Sequence, residues 1–132
     1  NLSYQSRNLS VEGSSEAMEQ MQASYRANAV VRARQVARLR QMVDTLRMPL
    51  IVCGDFNDSP ISYAHRVISQ DMDDAFTESG CGLGISYNQN KFYFRIDNIL
   101  VSKNLKASGC TVDNSIKDSD HYPIWCYITL PD

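Results

Sequence analysis

A chain of 132 residues, 43% hydrophobic and 21% charged, suits one globular domain with a real core and excludes general disorder. No stretch approaches the about 20 consecutive apolar residues that a membrane-crossing helix needs. The net charge of −2 hides an asymmetry: residues 1–47 hold seven Arg against three Glu and one Asp, and the remainder holds six Lys or Arg against eleven acids.

In chain order, residues 1–13 are polar and aperiodic. From about Ser15 to Arg47, apolar residues recur at Met18, Met21 and Tyr25, then at Val36, Leu39, Val43 and Leu46, which is the three-and-four spacing of an amphipathic helix. Ser14 or Ser15 can cap it, with Glu16 and Glu19 near the positive end of its dipole. Asn28 falls in mid-pattern and allows a kink or two helices. Pro49 ends the helix, and Leu50 to Gly54 reads as a short buried strand. Asp58 or Ser59 can cap a second helix, with Pro60 at its first position and Tyr63, Val67 and Ile68 along it. Asp71 to Gly84 reads as a loop. A hairpin follows, with Ile85-Ser86-Tyr87 paired to a strand ending at Leu100-Val101 and a turn near Asn88 to Lys91. Gly109 to Val112 and Tyr122 to Leu130 read as two more strands. Helix, strand, helix and a run of strands predict an α/β domain whose mixed, largely antiparallel sheet carries helices on one face. The other, apolar face then needs a partner: more chain or a second subunit.

Arg32, Arg34, Arg38, Arg40 and Arg47 could line a nucleic-acid surface, but helical spacing spreads them around the axis, which favours a solvated helix. The acidic remainder fits a bound cation better than a phosphate-tracking surface. Of the four cysteines, Cys53 and Cys126 lie in apolar runs, where a thiol behaves as a small hydrophobe. No C-x-x-C pair argues for zinc, and the sequence leaves a Cys81–Cys110 disulfide open.

Chemistry concentrates in three places. Gly54-Asp55-Phe56-Asn57 leaves the first strand with a carboxylate and an amide two residues apart, a spacing that turns both toward one pocket. Asp97 interrupts the apolar segment Phe92 to Val101; if buried it needs a partner, and Arg95, two residues back, is the nearest candidate on the same strand face. Ser119-Asp120-His121 precedes the last strand. Taken singly, Asp55 and Asn57 could serve only a turn, Asp120 a turn, and His121 the core. His65 falls on the short helix, is expected to be exposed and receives no role. Ser119 lacks the surroundings of a nucleophilic serine.

The order G-D-F-N, R-I-D-N-I-L-V-S and S-D-H-Y-P-I resembles the endonuclease/exonuclease/phosphatase superfamily, which includes apurinic DNA endonucleases, neutral sphingomyelinases and inositol-phosphate 5-phosphatases. The resemblance covers roughly Leu50 to Leu130. It implies hydrolysis of a phosphoester by in-line attack of water. Asp55 would hold and deprotonate that water, and Asn57 would bind a phosphate oxygen or orient the water. Asp97 would fix the tautomer of His121, which would stabilise charge on the scissile phosphate, and Asp120 would ligate a divalent metal, Mg²⁺ or Mn²⁺. The family's Asn near its first strand and its principal metal-binding Glu cannot be placed in this chain. Tyr4-Gln5-Ser6 could be a remnant of the strand-end motif before the long helix, without its His, and Asn98 stands where many relatives carry Tyr. The resemblance thus implies the C-terminal half of a four-layer α/β sandwich, 1–132 forming one incomplete domain that associates with its missing half or with a second copy. The isolated chain would then be inactive, since Asp120 alone gives a metal little anchorage. Two rival readings are a DNA-repair nuclease, which needs basic loops not evident here, and a non-catalytic binding module that keeps the fold.

Overall fold

The computed structural model describes residues 13–89 and 94–131. The chain divides into two compact units, Asn1–Gln35 and Val36–Asp132. Helix α1, Gly13–Thr45, is continuous through Asn28, so one helix rather than two spans this segment. Ser14 and Ser15 lie inside the helix rather than at its cap. In the first unit the predicted apolar stripe of Met18, Met21 and Tyr25 is exposed, as are Val30 and Val31. The expected strand-end motif at residues 4–6 lies outside the described residues.

The second unit holds the core. Strands β1 (Ile51–Asp55), β2 (Met72–Asp74) and β3 (Asp97–Ser102) form an antiparallel sheet in the order β1-β3-β2. Strands β4 (Lys106–Val112) and β5 (Ile124–Thr129) form a second antiparallel pair, with a register shift between Ser108 and Thr111. Helix α2 is Tyr63–Ile68 and helix α3 is Ala75–Ser79.

Strand β3 is central and the most buried of the strands, and its alternation divides the core in two. Leu100 packs with Val36 of α1, Ala64 and Ile68 of α2, and Met72. Ile99 and Val101 point the other way, to Ala75, Leu105 and Cys110, with Ile124, Cys126 and Ile128 of β5 packed against them. Strand β5 alternates as a half-covered strand should: Trp125 and Tyr127 are exposed on its outer face. Strand β1 forms where expected but is not the buried strand expected: Ile51 and Cys53 are exposed, and only Val52 is partly covered. Helices with antiparallel sheets agree with the α/β class expected from the element order, but the helices are not confined to one face: α1 and α2 pack on the Leu100 side of β3, and α3 on the side of Ile99 and Val101.

Several local expectations are corrected. The presumed loop from Asp71 to Gly84 contains β2 and α3, whose signal was Asp74: its Oδ1 accepts hydrogen bonds from the backbone N–H of Phe76 at 3.0 Å and Thr77 at 3.3 Å, capping the short helix. Ser62 caps α2, accepting from the His65 N–H at 3.2 Å, whereas Asp58, Ser59 and Pro60 precede the helix. Tyr87 pairs not with β3 but in a single bridge with His121. Ser86 meets β3 through its side chain instead: Oγ accepts from the N–H of Ile96 at 3.0 Å and of Asp97 at 3.1 Å. Asn90 and Lys91 of the proposed turn and the strand residues before Phe94 fall outside the described residues. No Cys81–Cys110 disulfide forms; Cys81 is exposed, Cys110 is buried, and all four cysteines are free. Cys53, expected to act as a small core hydrophobe, is exposed, as is Ile51 two residues before it on the same side of β1.

Candidate active site

The register of β1 against β3 ends with Asp55 directly opposite Asp97. Two like charges facing each other across strands destabilise a sheet unless something lies between them. His121 does. Its Nδ1 is 2.8 Å from Asp97 Oδ2, and its Nε2 is 4.0 Å from Asp55 Oδ2. The ring arrives from the loop before β5, which is fastened to the segment around Tyr87: Tyr122 N–H donates to Ser86 O at 2.7 Å, Asn88 N–H to Asp120 O at 3.0 Å, and Asn88 Nδ2 to Ser119 O at 3.2 Å. The Tyr87 ring lies 5.1 Å from the imidazole, tilted by 60°.

Asp55 divides its two oxygens. Oδ1 accepts from the Asn57 N–H at 2.7 Å, and Oδ2 faces His121. The turn reading of Asp55 is therefore correct but incomplete. Asn57 turns the chain at φ 50°, a left-handed conformation that Asn tolerates better than most residues. Its neighbour Phe56 ties the strand end down by donating its N–H to Ile96 O at 2.8 Å.

Partial burial of the His121 ring opposes its protonation, but the Asp97 hydrogen bond and the charges of Asp97, Asp55 and Asp120 outweigh it, so its pKa rises above the ordinary 6.5. With an acceptor on Nδ1, the proton-bearing Nδ1 tautomer is fixed and Nε2 points toward Asp55 and solvent. Asp120 is exposed beside Ser119, whose hydroxyl donates to its Oδ1 at 3.2 Å. Among the described residues, no group of three His, Cys, Asp or Glu side chains is placed to hold a metal ion. Asp120 offers one carboxylate, so these residues do not by themselves make a metal centre.

Behind the site lies a buried polar cluster that the sequence reading missed. Arg95 does not pair with Asp97: it precedes β3, so strand alternation does not apply to it, and its guanidinium instead bonds Asp74 Oδ2 and Asn98 Oδ1. His65, expected to be exposed, is 8% exposed, with Nε2 2.9 Å from the same Asp74 oxygen. The signal was its spacing, since His65 stands three residues before buried Ile68, on the inner face of α2. Burial alone would raise the Asp74 carboxyl, but hydrogen bonds from His65 and Arg95, the charge of Arg95 and the Thr77 N–H hold it at about 2.

An α/β unit with a carboxylate–imidazole–carboxylate cluster at the end of its sheet is the class that fold and site define. Residues 7–121 match the Endonuclease/Exonuclease/phosphatase family, and the chain belongs to that family. Similar solved structures include an endonuclease/exonuclease/phosphatase family protein from Bacteroides thetaiotaomicron, with a TM-score of 0.59 and 19% identity over 75% of this chain and 44% of that one. A protein of unknown function from Enterococcus faecalis has a TM-score of 0.55 and 19% identity over 63% of this chain and 37% of its own. A mannosyl-6-phosphatase from Bacteroides thetaiotaomicron has a TM-score of 0.53 and 18% identity over 71% and 42%. At such identities the likeness concerns the fold. The chain spans less than half the length of each of these three structures. No curated protein matches the sequence. No described helix is long and apolar enough to cross a membrane.

Proposed function

We propose that this chain carries the water-activating and charge-stabilising side of a phosphoester hydrolase that acts by in-line attack of water. The observation that carries the reading is the placement of His121 between Asp97 and Asp55, at 2.8 and 4.0 Å, on an open sheet end. In-line hydrolysis needs a positioned water and positive charge for the non-bridging phosphate oxygens. Asp55 Oδ2, exposed and anionic, holds and deprotonates the water. His121, whose protonation Asp97 favours, turns Nε2 to the phosphate and stabilises its charge, and Asn57 supplies an amide to a phosphate oxygen. Both carboxylates favour the imidazolium, which suits a site that must gather negative charge.

Asp120 contributes one ligand to a Mg²⁺ or Mn²⁺ ion whose remaining protein ligands come from outside the cluster. The chain is the C-terminal portion of its domain, and the exposed apolar side chains Ile51, Trp125 and Tyr127 are covered by the rest of that domain or by a second copy. The coverage of 37–44% of the similar structures supports this reading. The 132-residue chain alone is then inactive.

The test is hydrolysis of bis-p-nitrophenyl phosphate in ¹⁸O-water by the protein that contains this chain, with Mg²⁺ added. One ¹⁸O atom in the p-nitrophenyl phosphate released is the expected result. Absence of turnover, or label in the phenol alone, contradicts the proposal.

A further inference from the structure

We propose that Asn98 and Arg95 are positioning residues, which lock Asp55 and Asp97 at the separation His121 requires; the inference rests on the catalytic reading of those three residues. The geometry runs from the core outward. Asp74, 8% exposed, anchors Arg95, 4% exposed, through its Oδ2. The Arg95 guanidinium lies 5.2 Å over the Phe76 ring and turns its Nη1 to the Oδ1 of Asn98, which is fully buried. The other end of that amide, Nδ2, donates to Ile96 O at 2.9 Å. The same carbonyl accepts the Phe56 N–H at 2.8 Å.

Ile96 O therefore spends both lone pairs on two donors, one from the buried cluster and one from the residue after Asp55. Asp97 lies between Ile96 and Asn98, and the N–H groups of Ile96 and Asp97 are held from another direction by Ser86 Oγ at 3.0 and 3.1 Å. The peptide that carries Asp97 is thus clamped on two sides, and Phe56 binds the Asp55 strand to the same point. Only a side chain with an acceptor at one end and a donor at the other can link Arg95 to Ile96 O, and Asn98 supplies both on a short arm. An amide inside an otherwise apolar strand is costly unless satisfied, and here every end of it is used.

Asn98→Asp isolates the effect: it keeps volume and the acceptor for Arg95 but loses the donor to Ile96 O. In the 132-residue chain, amide hydrogen exchange followed by NMR should speed up at Phe56 by about tenfold, the weight of one lost hydrogen bond. The N–H groups of Leu105 and Asp113, bonded to Ser102 O and Pro123 O, should keep their rates. In the protein with the complete site, kcat for bis-p-nitrophenyl phosphate should fall by about tenfold or more with KM within about twofold, because the loss is one of alignment in the transition state. Arg95→Lys, which keeps a cation for Asp74 but lacks the second arm to Asn98, should reproduce the Phe56 signature if Asn98→Asp does not fold. Phe56 exchange that rises only in step with Leu105 and Asp113 marks a purely structural role and overturns the inference, as does faster exchange at Phe56 with unchanged kcat. If the unaltered protein shows no turnover, the catalytic reading fails and this inference fails with it, whereas turnover with an unmoved Phe56 overturns the inference alone.

Discussion

Replacing Asp97 by Asn removes a charge while keeping the size of the side chain and the pairing of β3, so the fold should survive and the site should not. Asp97 is the closer of His121's two carboxylate partners, at 2.8 Å against 4.0 Å for Asp55. A hydrogen bond between charged groups contributes roughly 1.5–3 kcal/mol. The side chains here are 17% and 30% exposed, so water screens part of that. The low end, about 1.5–2 kcal/mol, corresponds to a fall in kcat/KM of roughly 10- to 30-fold. The pH dependence has a definite sign. Asp97 raises the His121 pKa, so its loss lets the imidazole give up its proton at lower pH, and the deficit should be larger at pH 8 than at pH 6. Initial rates of bis-p-nitrophenyl phosphate hydrolysis by the protein that contains this chain, across pH 5.5–8.5, give the profile. A variant whose rate stays within about twofold of the parent at both pH values refutes the role given to the Asp97–His121 pair.

Asp74 should set acid stability. A carboxyl at about 2 in the fold and 3.8 when unfolded adds roughly 2 kcal/mol above pH 4, which is lost as the pH falls toward 2. Asp74→Asn should flatten that loss in urea titrations between pH 4 and pH 2, and should cost about 3–5 kcal/mol at pH 7 because Arg95 is left buried without its counter-charge. Leu100→Ala, at a fully buried position facing α1 and α2, should lower the unfolding free energy by about 2–5 kcal/mol in a urea titration of the 132-residue chain. Thiol titration at pH 8 should label Cys53 and Cys81 quickly and leave Cys110 unlabelled until the chain unfolds, since burial pushes the Cys110 thiol up to about 11.

The long helix, β1 and the last three strands were legible because hydrophobic period and breakers agree. Pro49 ends the long helix near the residue expected, and the β-branched run Ile51-Val52 became β1. The grouping of Asp55, Asp97 and His121 was expected because motifs that leave or enter strands were matched to a family pattern, and the register sets Asp55 opposite Asp97. The missed features depend on contacts between residues far apart in sequence. Asp74 and Arg95 are 21 positions apart, and nothing local announces that they meet inside the core. His65 looked solvent-exposed because a polar residue on a short helix usually is; burial beside Asp74 supplied the partner that makes it stable there. The strand β2, of three residues, is too short to show alternation, and α3 is little more than a turn closed by its Asp74 cap. Asn98 departed from the resemblance, and its two-ended link to Arg95 and Ile96 gives that departure a structural reason.

The most direct measurement is turnover of bis-p-nitrophenyl phosphate by the protein containing this chain, with Mg²⁺ and with chelator, beside His121→Ala and Asp55→Ala. Turnover that needs the metal and falls by about 100-fold or more in each variant is the predicted result. Turnover that persists in both variants contradicts the account, because it removes the chemistry from the cluster at the end of β1 and β3.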